Sequence, residues 1–271
     1  MQSVFEGQGE LRQQVYGFYN AVLAALLKTD IPFLVGGAYA LAHYTGIVRH
    51  TKDLDIFVRP PDCERILQVL AQAGYHAEHT APHWIAKVFS GEEYIDIIFS
   101  SGNGIAAVDD AWFAYAPQAE VLGHQVRLCP PEETIWSKAF VMDRERYDGA
   151  DVAHLLRACG ERLDWSRLLH RFEAHWRVLL SHLILFGFIY PAERARIPMW
   201  VMQELLDRVQ HELRSACPAE RLCQGTLLSR AQYLIDIGPW GYEDARLLPR
   251  GPMTPEEIAQ WTAAIDREEG T

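Results

Sequence analysis

The sequence predicts an α+β fold in which a small mixed β-sheet with helices is followed by an all-helical C-terminal region. Over residues 1–158, short apolar runs with the two-residue period of strands alternate with helical patterns. Strand signals then vanish, and residues 159–271 carry long helical patterns punctuated by prolines. We therefore predict two domains, residues 1–158 and residues 159–271.

The first domain is predicted to begin with a helix, because apolar residues recur at helical spacing over residues 9–28. In chain order, the other elements predicted there are a strand at 32–35, a helix at 38–44, a strand at 53–58, a helix at 63–73, strands at 75–79, 84–89 and 94–100, a short strand at 126–128 and a helix after Pro130. Residues 91–93 are predicted to form the hairpin connection between the last two long strands.

The second domain is predicted to contain helices at residues 165–188 and 199–213 and a further helix after Gly225. Its longest apolar run, residues 178–190, is too short to span a bilayer and predicts a buried helix. His182 lies in that run and is interpreted as a core histidine, since the histidines of this region lack the spacing of zinc ligands.

Three carboxylates fall on predicted strands. Asp53 and Asp55 flank Leu54, so they share one face of a strand whose other face is apolar. Asp96 lies within a second strand-like run, on the face opposite to that of the apolar residues Ile95, Ile97 and Phe99. Carboxylates on neighbouring strands offer the hard oxygen ligands that suit Mg²⁺. A solvated strand face above an apolar core is the alternative interpretation.

Gly36 and Gly37 stand at a predicted strand-to-helix junction sixteen residues before Asp53. Glycine allows positive φ and close approach of the backbone to a ligand, and the amides at the start of the next helix would face an anion. This pair is therefore a candidate cradle for a triphosphate. A tight turn without a ligand is the alternative.

These residues resemble the DNA polymerase beta-like nucleotidyltransferase superfamily, whose signature is an apolar residue with Gly-Gly or Gly-Ser, then Asp-apolar-Asp and a later Asp. The stretch from Phe33 to Asp55 is most similar to its small bacterial branch, which includes lincosamide-type antibiotic nucleotidyltransferases, abortive-infection toxins and uncharacterised members. The resemblance covers roughly residues 10–158, with the specific motifs ending at Asp96.

The resemblance implies metal-dependent transfer of a nucleoside monophosphate from an NTP, with release of pyrophosphate. Asp53, Asp55 and Asp96 would be the catalytic residues and the ligands of two Mg²⁺ ions, with Mn²⁺ as an alternative. By the same resemblance, the nucleotide-binding residues would be Gly36, Gly37, Thr51, Lys138 and Asp151. Asp148 or Asp151 would orient Lys138 or cap the following helix, and the alternative for Asp148 is a plain N-cap.

The acceptor hydroxyl is left open by the sequence and could belong to a small molecule, a protein or a tRNA. A tRNA-modifying toxin with an antitoxin partner and a non-catalytic nucleotide-binding protein are the two alternative functions. Homo-oligomers are also compatible with the sequence. No Walker loop, serine-hydrolase elbow or dinucleotide fingerprint favours another class of enzyme.

The composition is that of a soluble enzyme with a net charge of −11, which argues against a broad nucleic-acid surface but leaves room for a local basic groove. Arg49, His50 and Lys52 beside the carboxylates could contact phosphates or be solvated loop charges.

The five cysteines lack a Cys-x-x-Cys pair, which argues against a disulfide framework and a structural zinc site. With no signal-peptide pattern, we predict a cytoplasmic protein without a membrane partner.

Overall fold

The computed structural model of the protein describes residues 15–49, 51 and 53–268. The predicted α+β class is confirmed, since a five-stranded mixed sheet is accompanied by many helices. The chain divides into two compact units, one comprising Met1–Ser100 and Ala107–Pro130 and the other Ser101–Ala106 and Pro131–Thr271.

The first unit contains a central sheet, a separate hairpin and the helices that cover them. Its helices are α1 (Val15–Leu26, as far as it is described), α2 (Gly37–Thr45), α3 (Pro60–Gln72) and α4 (Asp110–Ala114). Its strands are β1 (Leu34–Val35), β2 (Asp55–Phe57), β3 (His76–Ala81), β4 (Ile85–Ser90), β5 (Glu93–Ile98), β6 (Gln118–Val121) and β7 (His124–Arg127).

The sheet has the order β1-β2-β5-β4-β3. Strands β2 and β5 are parallel, and the other neighbours in the sheet are antiparallel. A tight turn at Gly91, with φ of 65°, joins β4 to β5 in the predicted hairpin. The parallel pair places the same ends of β2 and β5 side by side at the middle of the sheet.

One face of this sheet is buried against helices, as the alternation of the sequence predicts. Leu54, Ile56, Ile95 and Ile97 have no exposed surface, and they pack in one cluster with residues of α1 and α3. The carboxylates between them therefore lie on the opposite face. Burial of so many apolar side chains, at about 25 cal/mol per Å² of apolar area, makes this register costly to change.

Four details of the first unit differ from the prediction. Asp53 precedes β2, which begins at Asp55. The helix α4 was missed, and so was β6, which pairs with β7 through a turn with positive φ at Leu122 and Gly123. The strand predicted at 126–128 ends one residue early, although Leu128 forms a bridge to Val35. Residues 9–14 of the first predicted helix lie outside the described residues.

The second unit is largely helical. Its helices are α5 (Pro131–Ala139), α6 (Gly149–Cys159), α7 (Trp165–Phe172), α8 (Trp176–Ile189), α9 (Met199–Arg214), α10 (Leu234–Ile237) and α11 (Pro255–Glu268). Helices α5 and α6 contact α7 and α8, which explains why the units divide at residue 130 whereas the predicted boundary is 158. A nucleotidyltransferase domain of residues 1–158 stays a prediction.

The prediction of an all-helical C-terminal region is wrong in one respect. Leu222–Cys223 and Glu243–Asp244 form two short parallel strands, β8 and β9. Strands of two residues are too short to show an alternating pattern, so the sequence gives no signal for them. The helix predicted after Gly225 is also mostly replaced by a 3₁₀ turn over Gly225–Leu227, and the next helix is the short α10.

The predicted helix over residues 165–188 is interrupted. A 3₁₀ turn at Glu173–His175 separates α7 from α8, and Glu173 adopts a φ of 34°. In the described part of the chain, Trp165–Ile189 is the one helical stretch long and apolar enough to cross a membrane by length and composition, with a mean hydropathy of 1.2. The core helix of a soluble protein passes the same test, and 39% of an apolar 18-residue window within this stretch is buried.

Candidate active site

The three predicted carboxylates come together at the centre of the first unit's sheet. Asp55 on β2 lies directly opposite Asp96 on the parallel strand β5, and Asp53 precedes Asp55 by two residues. One carboxylate oxygen from each residue lies within 4.8 Å of the others. Since β2 and β5 each have a paired strand on both sides, the sheet fixes the spacing of Asp55 and Asp96 before any ligand arrives.

The Gly-Gly pair is fitted to this cluster. The Gly36 amide donates to the Asp55 carbonyl at 2.9 Å, which fixes the turn to β2. Gly37 has a φ of 51°, and a Cβ on it would lie 1.6 Å from Asp55 Oδ2. A Cβ on Gly36 would lie 2.3 Å from the ring of Phe57. Both positions therefore require glycine, and at Gly37 the reason is the Asp55 carboxylate itself.

Gly37 also begins α2, whose N-cap, Gly36, offers no side chain to the first amides of the helix. These amides and the positive end of the helix dipole lie beside the carboxylates, because Gly37 touches Asp55. The local arrangement can therefore present donors to an anion next to a cluster that attracts cations.

The hydroxyl of Thr51 binds one carboxylate of the cluster. Thr51 Oγ1 donates to Asp53 Oδ1 at 2.5 Å, so the side chain holds one carboxylate in place. A direct contact between Thr51 and a nucleotide stays a prediction. The neighbouring His50 and Lys52 lie outside the described residues.

Lys87 is a member of the site that the sequence analysis missed. It lies on β4 directly opposite Asp96, and its Nζ is 2.6 Å from Asp96 Oδ1. The same Nζ lies 3.7 Å above the ring of Tyr94, which precedes Asp96 by two residues on the same face. Both partners are on β5, so the hairpin alone positions this cation.

Two phenols near the cluster stay neutral. Burial, and then the charges of Asp53, Asp96 and Asp55, raise the pKa of Tyr94. Burial, followed by Tyr39 and Asp53, raises the pKa of Tyr19. The buried Tyr19 hydroxyl has no hydrogen-bond partner in the part of the chain that the structure describes.

The donor set fits a hard divalent cation. Three carboxylates supply oxygen ligands at mutual distances that one ion, or a pair of ions, could bridge. Like charges at this separation repel one another, so a bound cation would relieve that repulsion.

Lys138 and Asp151 belong to the second unit, where they form an ion cluster with Asp148. Lys138 Nζ lies 2.8 Å from Asp148 Oδ2 and 2.9 Å from Asp151 Oδ2. Burial acts to lower the pKa of Lys138, but the two carboxylates outweigh it and raise the pKa. Asp148 makes no side-chain cap to α6, since its carboxylate is turned to Lys138 and Arg146. Of the two alternatives for Asp148, the structure therefore favours orientation of Lys138.

Comparisons with known proteins show the family of the chain. A family model described as "uncharacterised nucleotidyltransferase" matches residues 2–186. A search of curated proteins finds no match.

Several solved structures are similar at a distance. The antibiotic-resistance factor ANT(2'')-Ia is 18% identical, with a TM-score of 0.44 over 63% of this chain and 97% of that chain. The lincosamide antibiotic adenylyltransferase LnuA is 18% identical, with a TM-score of 0.36 over 52% and 94%. JHP933 from Helicobacter pylori is 13% identical, with a TM-score of 0.37 over 73% and 96%.

Proposed function

The chain belongs to the family of uncharacterised nucleotidyltransferases, and from this premise we propose that it transfers a nucleoside monophosphate from an NTP to an acceptor hydroxyl in a metal-dependent reaction. The observation that carries the proposal is the cluster of Asp53, Asp55 and Asp96, whose carboxylate oxygens lie within 4.8 Å of one another. Mg²⁺ ions, or Mn²⁺ in their place, would be held by these three residues and would neutralise phosphate charge.

In the proposed reaction, the acceptor oxygen forms a bond to the α-phosphorus of the NTP. The bond from that phosphorus to the bridging oxygen breaks, and pyrophosphate leaves. Asp96 takes the proton of the acceptor hydroxyl. Gly36 and Gly37 allow the triphosphate to approach the backbone, and the first amides of α2 donate to its oxygens.

Thr51, Lys138 and Asp151 have supporting roles in this proposal. Thr51 would hold the Asp53 carboxylate in place as a ligand of the ion. Lys138, whose ammonium group Asp148 and Asp151 hold, would contact a phosphate as a point charge. Asp151 would keep that ammonium oriented.

The test is a search for the acceptor with α-labelled NTPs. Purified protein, Mg²⁺ and one NTP at a time would be incubated with a tRNA pool, a protein extract or a library of small hydroxyl compounds. We expect label in one acceptor pool with the wild-type protein and none with Asp96→Asn. The matched control is Asp30→Asn, an exposed aspartate outside the cluster, which should behave as the wild type.

The same assay separates the alternative functions. Label in tRNA would favour the tRNA-modifying toxin, and label in a small compound would favour an enzyme of small-molecule modification. Nucleotide binding without label in any pool and without pyrophosphate would contradict transfer and favour a non-catalytic nucleotide-binding protein.

A further inference from the structure

The ion pair between Lys87 and Asp96 gives the acidic cluster a cation of its own. The side chains are only 21% and 12% exposed, and the Nζ–Oδ1 distance of 2.6 Å is that of a strong charge-assisted hydrogen bond. The ammonium group of Lys87 also makes a cation–π contact with the ring of Tyr94. A half-buried lysine with two fixed partners is poorly able to leave the cluster.

The charge of Lys87 changes what the cluster can bind. Three carboxylates alone would attract divalent ions strongly, because their oxygens lie within 4.8 Å of one another. Lys87 cancels one of those charges and occupies Asp96 Oδ1 with a hydrogen bond. The cluster is therefore less negative than its carboxylates alone would make it, and the charge of a nucleoside triphosphate would strengthen its attraction for cations.

We propose that Lys87 is a positioning residue and built-in counter-ion of the cluster, which orients Asp96 and weakens the binding of divalent cations until the nucleotide brings its own negative charge. This inference rests on the proposed function. An ordinary cross-strand ion pair would instead contribute only modestly to stability and would leave the cation affinity of the cluster unchanged.

The test measures Mn²⁺ binding without nucleotide, by electron paramagnetic resonance or calorimetry. Lys87→Met removes the charge but keeps an unbranched side chain over Tyr94. We expect it to bind Mn²⁺ at least about tenfold more tightly than the wild type, since a neighbouring positive charge is gone. Lys87→Arg keeps the charge and should restore the wild-type affinity. If Lys87→Met does not fold, Lys87→Gln takes its place.

A matched control is available in the same unit. Arg59 also pairs with a carboxylate, at 2.6 Å from Asp110, and also lies over an aromatic ring, 4.0 Å from the centre of Phe113. Because these partners lie outside the cluster, Arg59→Met should leave Mn²⁺ affinity unchanged. Asp55→Asn in the Lys87→Met background should abolish the gain, which assigns the binding to the cluster.

The outcomes distinguish this inference from the proposed function. If the wild type binds Mn²⁺ through Asp55 and Lys87→Met binds it no more tightly, the counter-ion role is overturned and the metal site stands. If neither protein binds Mn²⁺ with or without ATP, the metal-dependent function fails and the role of Lys87 fails with it. Tight Mn²⁺ binding by Lys87→Met, together with weak Mn²⁺ binding by the wild type, supports both the metal site and the counter-ion role of Lys87.

Discussion

At the scale of single residues, the site depends on a glycine whose missing side chain makes room for a carboxylate. Gly37 has a positive φ, and a Cβ there would overlap Asp55 Oδ2. Gly123 also has a positive φ, of 80°, but a Cβ there would meet nothing within 4 Å. An alanine at either position would therefore adopt an unfavourable backbone conformation, but of the two only the alanine at position 37 would clash with Asp55.

We predict that Gly37→Ala lowers transfer at least about a hundredfold, because displacing Asp55 by an ångström or more misplaces a metal ligand. Gly123→Ala should lose about 1 kcal/mol of stability from its backbone and keep full activity. Steady-state transfer rates and urea unfolding of both variants check this. Equal losses of activity in the two variants would mean that the clash with Asp55 is unimportant.

The carboxylates are predicted to be functional at the expense of stability. Asp55→Asn removes one of three mutually repelling charges, so in EDTA its melting temperature should equal or exceed that of the wild type. Asp148→Asn is the control, because the Asp148 carboxylate is stabilised by positive charges. Burial acts to raise its pKa, but Lys138 and Arg146 outweigh burial and lower the pKa. That variant should lose about 1–3 kcal/mol, because a buried lysine loses a partner. A clear loss of stability in Asp55→Asn would assign it a structural role.

The sequence predicted the carboxylates because they follow the two-residue period of strands, and it missed Lys87 because a cross-strand neighbour depends on register. Residues 91–93 were predicted to connect the strands, but the observed turn is Gly91 and Glu92, because Glu93 belongs to β5 and pairs with Ser90. A turn predicted at those two residues would have set Lys87 opposite Asp96.

At the scale of the elements, α8 is fixed to α5 by a buried polar contact. His182 Nε2 donates to the Ala139 carbonyl at 2.9 Å, and the interpretation of His182 as a core histidine agrees with its 3% exposure. Burial lowers the pKa of His182, although the Ala139 contact opposes this, and burial also lowers the pKa of His175.

This burial predicts a loss of stability in mild acid. Because the folded pKa of His182 lies below its unfolded value of about 6.5, the unfolded chain binds a proton first as the pH falls. Stability should therefore be highest above that pH and decrease below it. His182→Gln retains a donor for Ala139 and should show a smaller decrease in melting temperature between pH 7.5 and 5.5. The exposed His211→Gln should follow the wild type, and an unchanged slope in His182→Gln would contradict this account.

Some elements could not be predicted from local patterns. The turn at Glu173–His175 contains no proline or glycine, so the break between α7 and α8 has no local sequence signal. Strand β6 did have a signal, because Ala119 and Val121 alternate with Gln118 and Glu120 and Gly123 follows. The short strands β8 and β9 depend on pairing between distant segments, which no local pattern records.

At the scale of the whole molecule, the acidic chain concentrates negative charge where the reaction would need cations. Its net charge is −11, and three of its carboxylates share one site. Ions and nucleotide that bind the folded protein and not the unfolded chain must raise the free energy of unfolding. The increase is about 2.7 kcal/mol when the ligand is at a hundred times its dissociation constant. The melting temperature of the full chain therefore reports whether the cluster binds them.

The most direct measurement is the melting temperature with NTP and Mn²⁺ in the wild type and in Asp53→Ala/Asp55→Ala. We expect an increase of several degrees in the wild type, which requires both NTP and Mn²⁺ for its full size and disappears in the double variant. An equal increase in the double variant would show that the ions and nucleotide bind elsewhere, and it would contradict the assignment of the carboxylates.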